Sequence, residues 1–89
     1  MSVAEDIHRK LVDAFRPTEI HVEDESARHS GHAGARPGGE THFRVRIVAP
    51  AFVDMSRVTR QRKIYEVLSD ELRGQVHALS IEARAPGEL

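Results

Sequence analysis

Apolar residues recur along this chain with two alternating periods. Ile7, Leu11, Ala14 and Phe15 share one helical face. Ser2 precedes that face with Glu5 at capping-box spacing, and Pro17 disfavours helical dihedrals at Arg16, so a first helix is predicted to end there. Over residues 18–24 the period becomes two, with Ile20 and Val22 inward and Glu19, His21 and Glu23 outward, the pattern of a half-buried strand. Residues 41–48 repeat it, with Phe43, Val45 and Ile47 inward and His42, Arg44 and Arg46 outward. Ala49-Pro50 ends that strand, and residues 51–55 predict a short turn or single helical turn. Ser56 then caps a long helix through about Arg73, with Val58, Ile64, Tyr65, Val67, Leu68 and Leu72 as its buried stripe and Gly74 as its C′ residue. A last alternation over residues 76–84 sets Leu79, Ile81 and Ala83 on one face, with His77 in phase at the core-facing start, and Ser80, Glu82 and Arg84 on the other.

The order is α-β-β-α-α-β, an α+β fold. The first two strands can form a hairpin whose outward faces, acidic on one and basic on the other, favour antiparallel pairing. The last two are joined by a helical crossover and are expected to run parallel, with a right-handed connection. One three-stranded mixed sheet covered by helices on one face follows. Residues 26–39 carry no periodicity and hold Gly31, Gly34, Gly38 and Gly39 together with His29 and His32. A flexible loop over 26–40 is expected, of a length that compact domains rarely carry without a functional reason. Residues 85–89 read as a frayed tail. There is no internal repeat, and residues 1–89 read as one domain.

Composition narrows the function. Eighty-nine residues leave a small core with little stability to spare. No apolar run approaches the ~18 residues of a membrane span, and the N-terminus lacks the features of a signal peptide, so a cytoplasmic protein without membrane contact is expected. The chain has no cysteine, which excludes disulfides and a thiol nucleophile and removes the usual ligands of zinc fingers and iron–sulfur clusters. No nucleophile elbow, Walker loop, zinc-protease motif or dinucleotide fingerprint is present, so no enzyme is expected. A net charge of -1 argues against wholesale nucleic-acid binding and leaves room for a local patch.

Three features could carry chemistry. His77 is either a rim histidine satisfied by a backbone partner or a metal ligand held on a rigid strand. His29 and His32, spaced His-x-x-His in the glycine-rich segment, are a second imidazole source. A loop histidine and a strand-end histidine make a half-site, because two imidazoles cannot close a tetrahedral centre. Arg57, Arg60, Arg62 and Lys63 crowd the first two turns of the long helix, where the macrodipole disfavours each basic charge in the first turn by roughly 0.3–1 kcal/mol. Arg62 and Glu66 stand at i,i+4 spacing. Such a basic start either forms a solvated face or attracts an anion: phosphate, an acidic partner surface or a tripeptide carboxylate.

Asp24-Glu-Ser26, Gly31-His32, Glu40-Thr-His-Phe43, Ile47-Val48, Phe52, Ser56-Arg-Val58, Arg60, Arg62, Tyr65, Leu68, Glu71-Leu72 and Val76-His-Ala-Leu79 resemble the BolA-like family over residues 4–86. The resemblance implies a class II KH-like fold and a non-enzymatic role in iron–sulfur and iron homeostasis. It also implies a monothiol glutaredoxin partner with which a [2Fe–2S] cluster is shared, the sulfur ligands being the partner's cysteine and a glutathione thiol. The family's strand histidine falls on His77. Its loop ligand falls on His32, with His29 in reserve; no cofactor is expected in the isolated chain, a monomer or weak dimer. Some relatives are described as transcription factors of the stress response, which makes DNA contact through Arg57, Arg60, Arg62 and Lys63 the alternative function. This chain has Gln61 where the family usually has a histidine, Asp54-Met55 where many members have glycine and its neighbour, and no Gly-x-x-Gly between helices.

Overall fold

The computed structural model describes residues 2–25, 42–74 and 76–88. Its elements are α1 (Val3–Phe15), β1 (Glu19–Asp24), β2 (His42–Val48), a single 3-10 turn (Pro50–Phe52), α2 (Arg57–Val67), α3 (Ser69–Arg73) and β3 (Ala78–Arg84). The sheet order is β1-β2-β3, with β1 antiparallel and β3 parallel to the central β2. This is the expected mixed sheet. The loop expected over 26–40, with His29 and His32, lies outside the described residues.

Each boundary has a local cause. The Ser2 side-chain oxygen accepts the Glu5 N–H at 3.1 Å, satisfying one of the orphan donors at the start of α1. Arg16 closes that helix in the left-handed region at φ 49° before Pro17. Ser56 caps α2 in the same manner, accepting the Thr59 N–H at 3.1 Å. Asp54, just ahead of it, adopts φ 66°, a conformation Asp tolerates better than most residues.

The core is built from Ile7, Leu11 and Phe15 of α1, Phe43, Val45 and Ile47 of β2, Phe52, Ile64 and Leu68, with Val76 and Ala85 closing its ends. Burying each large aliphatic or aromatic side chain contributes ~1.5–3 kcal/mol. Phe15 and Phe52 meet with ring centroids 5.0 Å apart. Lys10 Nζ reaches Glu71 Oε2 at 2.7 Å and so ties α1 to α3. Among the described residues, no helix is long and apolar enough to cross a membrane.

Four expectations are corrected. The long helix is broken at Leu68 (φ -99°, ψ 19°) into α2 and α3, and Gly74 ends α3 at φ -103° without entering the left-handed region. Ile64 and Leu68 are buried as expected, but Val58 and Tyr65 are 63% and 41% exposed, and Arg60 is buried with Ile64 on the inner face of α2. Val58 and Arg60 are two residues, about 200°, apart around the helix, and the guanidinium of Arg60 takes the inward place. The tail is not frayed through Glu88: Ala85 is buried, the Glu88 N–H bonds the Ala85 carbonyl at 3.1 Å, and Gly87 supplies the left-handed corner at φ 87°. Finally, β3 begins at Ala78, so His77 is not a core-facing strand residue; it is exposed just ahead of the strand.

Candidate functional site

The sheet brings one set of candidates to one end. Parallel register pairs His42 with Ala78, so His77 lies beside the first residue of β2. Val76, buried immediately before it, anchors the approach, and its N–H bonds the Glu71 carbonyl at 3.0 Å. His77 is thereby an exposed imidazole on a fixed backbone. At the same end, β1 finishes at Asp24 and Glu25 donates its N–H to the His42 carbonyl at 2.8 Å. Residues 26–41, which carry His29 and His32, leave from and return to this closed mouth. His29 and His32 themselves lie outside the described residues. His42, half-buried in the first position of β2, is the second imidazole at this end among the described residues. Sequence reasoning put it on the outer sheet face without seeing its proximity to position 77, which only the parallel register reveals.

Among the described residues no three His, Asp or Glu side chains form a group able to hold a metal ion. With no cysteine in the chain, its own donors at this end are imidazoles and the carboxylates of Asp24 and Glu25, none of them a thiolate. They suit one side of an iron–sulfur centre whose thiolates come from elsewhere, and cannot complete one.

The basic start of α2 divides. Arg57, Arg62 and Lys63 are exposed, and the first turn contains no acidic residue. Among the described residues Arg62 and Glu66 form no ion pair. Arg60, counted with the basic surface from sequence, is 8% exposed and turned inward. Its Nη1 and Nη2 hold the two Glu88 carboxylate oxygens at 2.6 and 2.8 Å, Nη1 also donates to the Ala83 carbonyl at 3.1 Å, and the guanidinium lies 5.9 Å from the Phe52 ring centroid. The Arg60 hydrogen bonds, joined by the Ala85 N–H, hold the Glu88 carboxyl down at about 2. Arg60 is therefore withdrawn from any phosphate, because its two Nη groups are committed within the fold and its Nε is buried without a partner among the described residues.

The outer face of the sheet is polar and ion-paired. Arg46 Nε meets Glu82 Oε2 at 3.0 Å and Arg84 Nη2 meets Glu82 Oε1 at 3.2 Å, which together lower the Glu82 pKa, the Arg84 hydrogen bond being the larger cause. The β1–β2 register sets Glu23 beside Arg44, as the charge pattern predicted.

Residues 11–88 match the BolA family, described as BolA-like protein. The chain is 49% identical over 89 residues to an uncharacterized protein of a Sinorhizobium species encoded in a cobS 5′ region, covering 99% of this chain and 96% of that one. It is 48% identical over 87 residues to SufE-like protein 1 of Arabidopsis thaliana, covering 93% of this chain but only 24% of that much longer protein. The solved BolA domain of SufE1 from that plant superposes with a TM-score of 0.87 at 46% identity, covering 100% of this chain and 98% of the domain. BolA1 of Arabidopsis thaliana superposes with a TM-score of 0.88 at 40% identity, covering 100% of this chain and 97% of the solved one. With the α+β order, the mixed three-stranded sheet and the Val-His-Ala-Leu segment at its rim, these matches identify the chain as a member of the BolA-like family.

Proposed function

We propose that this chain is a non-enzymatic adaptor that docks on a monothiol glutaredoxin and lends His77 and His32 to a [2Fe–2S] cluster, acting in iron–sulfur trafficking or iron regulation in the cytoplasm. The observation that carries the reading is an exposed imidazole at position 77, held beside the mouth from which residues 26–41 leave the sheet. The absence of cysteine makes the arrangement one of sharing, since the thiolates must come from the partner and its glutathione. A bound cluster supplies redox-active iron and sulfide, and imidazole ligation raises its potential relative to thiolates alone. His77 contributes by presenting its exposed imidazole from an anchored backbone position on the rim. An imidazole ligates only in its neutral form, so assembly is favoured by rising pH.

The test is a titration of the protein into a cluster-loaded monothiol glutaredoxin, followed by visible absorbance and circular dichroism. Spectral change that is lost in the His77→Ala, His32→Ala double variant supports the reading. Unchanged spectra on mixing, or changes that persist in the double variant, refute it. The alternative of a nucleic-acid-binding regulator is weakened by the inward commitment of Arg60, which leaves Arg57, Arg62 and Lys63 for phosphate.

A further inference from the structure

Among the described residues, β3 forms one margin of the sheet and is paired only with β2. The Arg84 carbonyl accepts the Ala49 N–H at 3.0 Å on the β2 side, whereas the Ala83 carbonyl faces the other way and accepts from Arg60. Backbone groups in a strand alternate in direction, so Ile81 and Leu79 share the outward sense of Ala83. Such an open margin is a template for another strand.

Along this margin runs a cleft of about 260 Å³ between β3 and α2, lined among others by Arg57, Arg60, Gln61, Arg84, Glu82 and Glu88. Its charges are unequally committed. Glu82 is engaged by Arg46 and Arg84, and Glu88 by Arg60. Arg57 has no ion-pair partner among the described residues, and the first turn of α2 offers no carboxylate. The cleft is thus basic beside an open strand edge, and a carboxylate borne on an irregular segment already sits in it. That segment is the chain's own, held at Glu88 by both guanidinium arms and by the Ala85 N–H at 3.0 Å.

We propose that this cleft is a docking groove for an extended, acidic segment of a partner protein, which adds as a strand to the outer edge of β3 while Glu88 stands in for one of its carboxylates in the free protein. Main-chain pairing with Leu79 and Ile81 sets the register, and Arg57 selects acidic side chains. Glu88 keeps the inner end of the groove filled until a competing carboxylate arrives. The groove does not depend on the cluster reading. Seven residues of strand at ~3.3 Å each place Arg84 about 20 Å from the His77 end of β3.

The test is fluorescence anisotropy of the full chain with a labelled octapeptide of alternating glutamate and valine. Controls are the lysine–valine peptide, an analogue N-methylated at alternate backbone amides, and an oligothymidylate of equal charge as competitor. The acidic peptide should bind. N-methylation or Arg57→Glu should weaken binding by about tenfold, and Glu88→Gln should strengthen it by roughly three- to tenfold as the internal competitor loses its charge. Absence of binding, equal binding of the lysine peptide, indifference to N-methylation or unchanged affinity in Glu88→Gln each overturns the proposal. So does complete displacement by the oligonucleotide. If Glu88→Gln fails to fold, the exposed Arg57→Glu variant and the N-methylated peptide decide the matter alone.

Discussion

Replacing Arg60 by methionine isolates the clasp between α2 and the C-terminal segment. Methionine keeps the apolar stem over Phe52 but donates nothing. The Ala83 carbonyl loses its donor, at about 1 kcal/mol for an edge group that water can reach. The cation over the Phe52 ring disappears, worth ~0.5–1 kcal/mol. Loss of the two Glu88 contacts adds a smaller increment, because that side chain is 43% exposed and its pairing is screened. The expected sum is about 2 kcal/mol, against a total of roughly 4–13 kcal/mol for 89 residues. With a urea slope of ~1 kcal/mol/M the midpoint should fall by about 2 M. The assay is urea unfolding followed by circular dichroism, repeated from neutral to acid pH. A carboxyl held below its ordinary 4.5 binds fewer protons in the folded state, so its contribution is complete above about 4.5 and is lost as the pH falls through about 2. Arg60→Met should flatten that acid limb, and Glu88→Gln should cost much less in the Arg60→Met background than alone. A midpoint shift below about 0.5 M, or identical acid limbs in both proteins, would refute the assignment.

Three further outcomes are expected. His77→Ala should leave unfolding free energy within about 0.5 kcal/mol of wild type, since the residue is exposed; a larger loss by urea titration would make it structural. Asp54→Gly should stabilise the fold by up to about 1 kcal/mol, as glycine adopts φ 66° without the Cβ penalty and returns part of that gain through unfolded-state entropy; a lowered thermal midpoint would contradict it. Single-stranded nucleic-acid binding, if detected, should show a log K against log salt slope no steeper than about -2, because three exposed basic side chains remain on α2; a slope beyond about -3 would mean that Arg60 is released from Glu88.

The alternation of Phe43, Val45 and Ile47 with Arg44 and Arg46 made the central strand legible, because a strand covered on one face must sort its side chains by residue parity. The helix caps were equally plain, since Ser2 and Ser56 act on backbone groups three residues away. What escaped was non-local. Arg60 and Glu88 are 28 positions apart, and no periodicity announces that an arginine will take the inward place while Val58 and Tyr65 face outward. Hydrophobicity alone ranks valine and tyrosine above arginine for burial. A guanidinium with a ring beneath it and three oxygens around it reverses that order. The start of β3 was read early because His77 is in phase with Leu79, whereas the strand begins where its neighbour does, opposite His42. At the candidate site, periodicity put His77 on the core face of the strand, whereas it is exposed one residue ahead of it.

The bond from the Glu25 amide to the His42 carbonyl has a consequence for how such a scaffold diversifies. It joins the two stems of the insert at its root, so the closing ends are fixed by the sheet's own hydrogen bonding. Doubling the length of a freely closing insert costs only ~0.6 kcal/mol in chain entropy once its ends are fixed. Position 77 is borne on a different element, the approach to β3, and is held there by the Val76 amide on the Glu71 carbonyl, so its address is set independently of the insert's length.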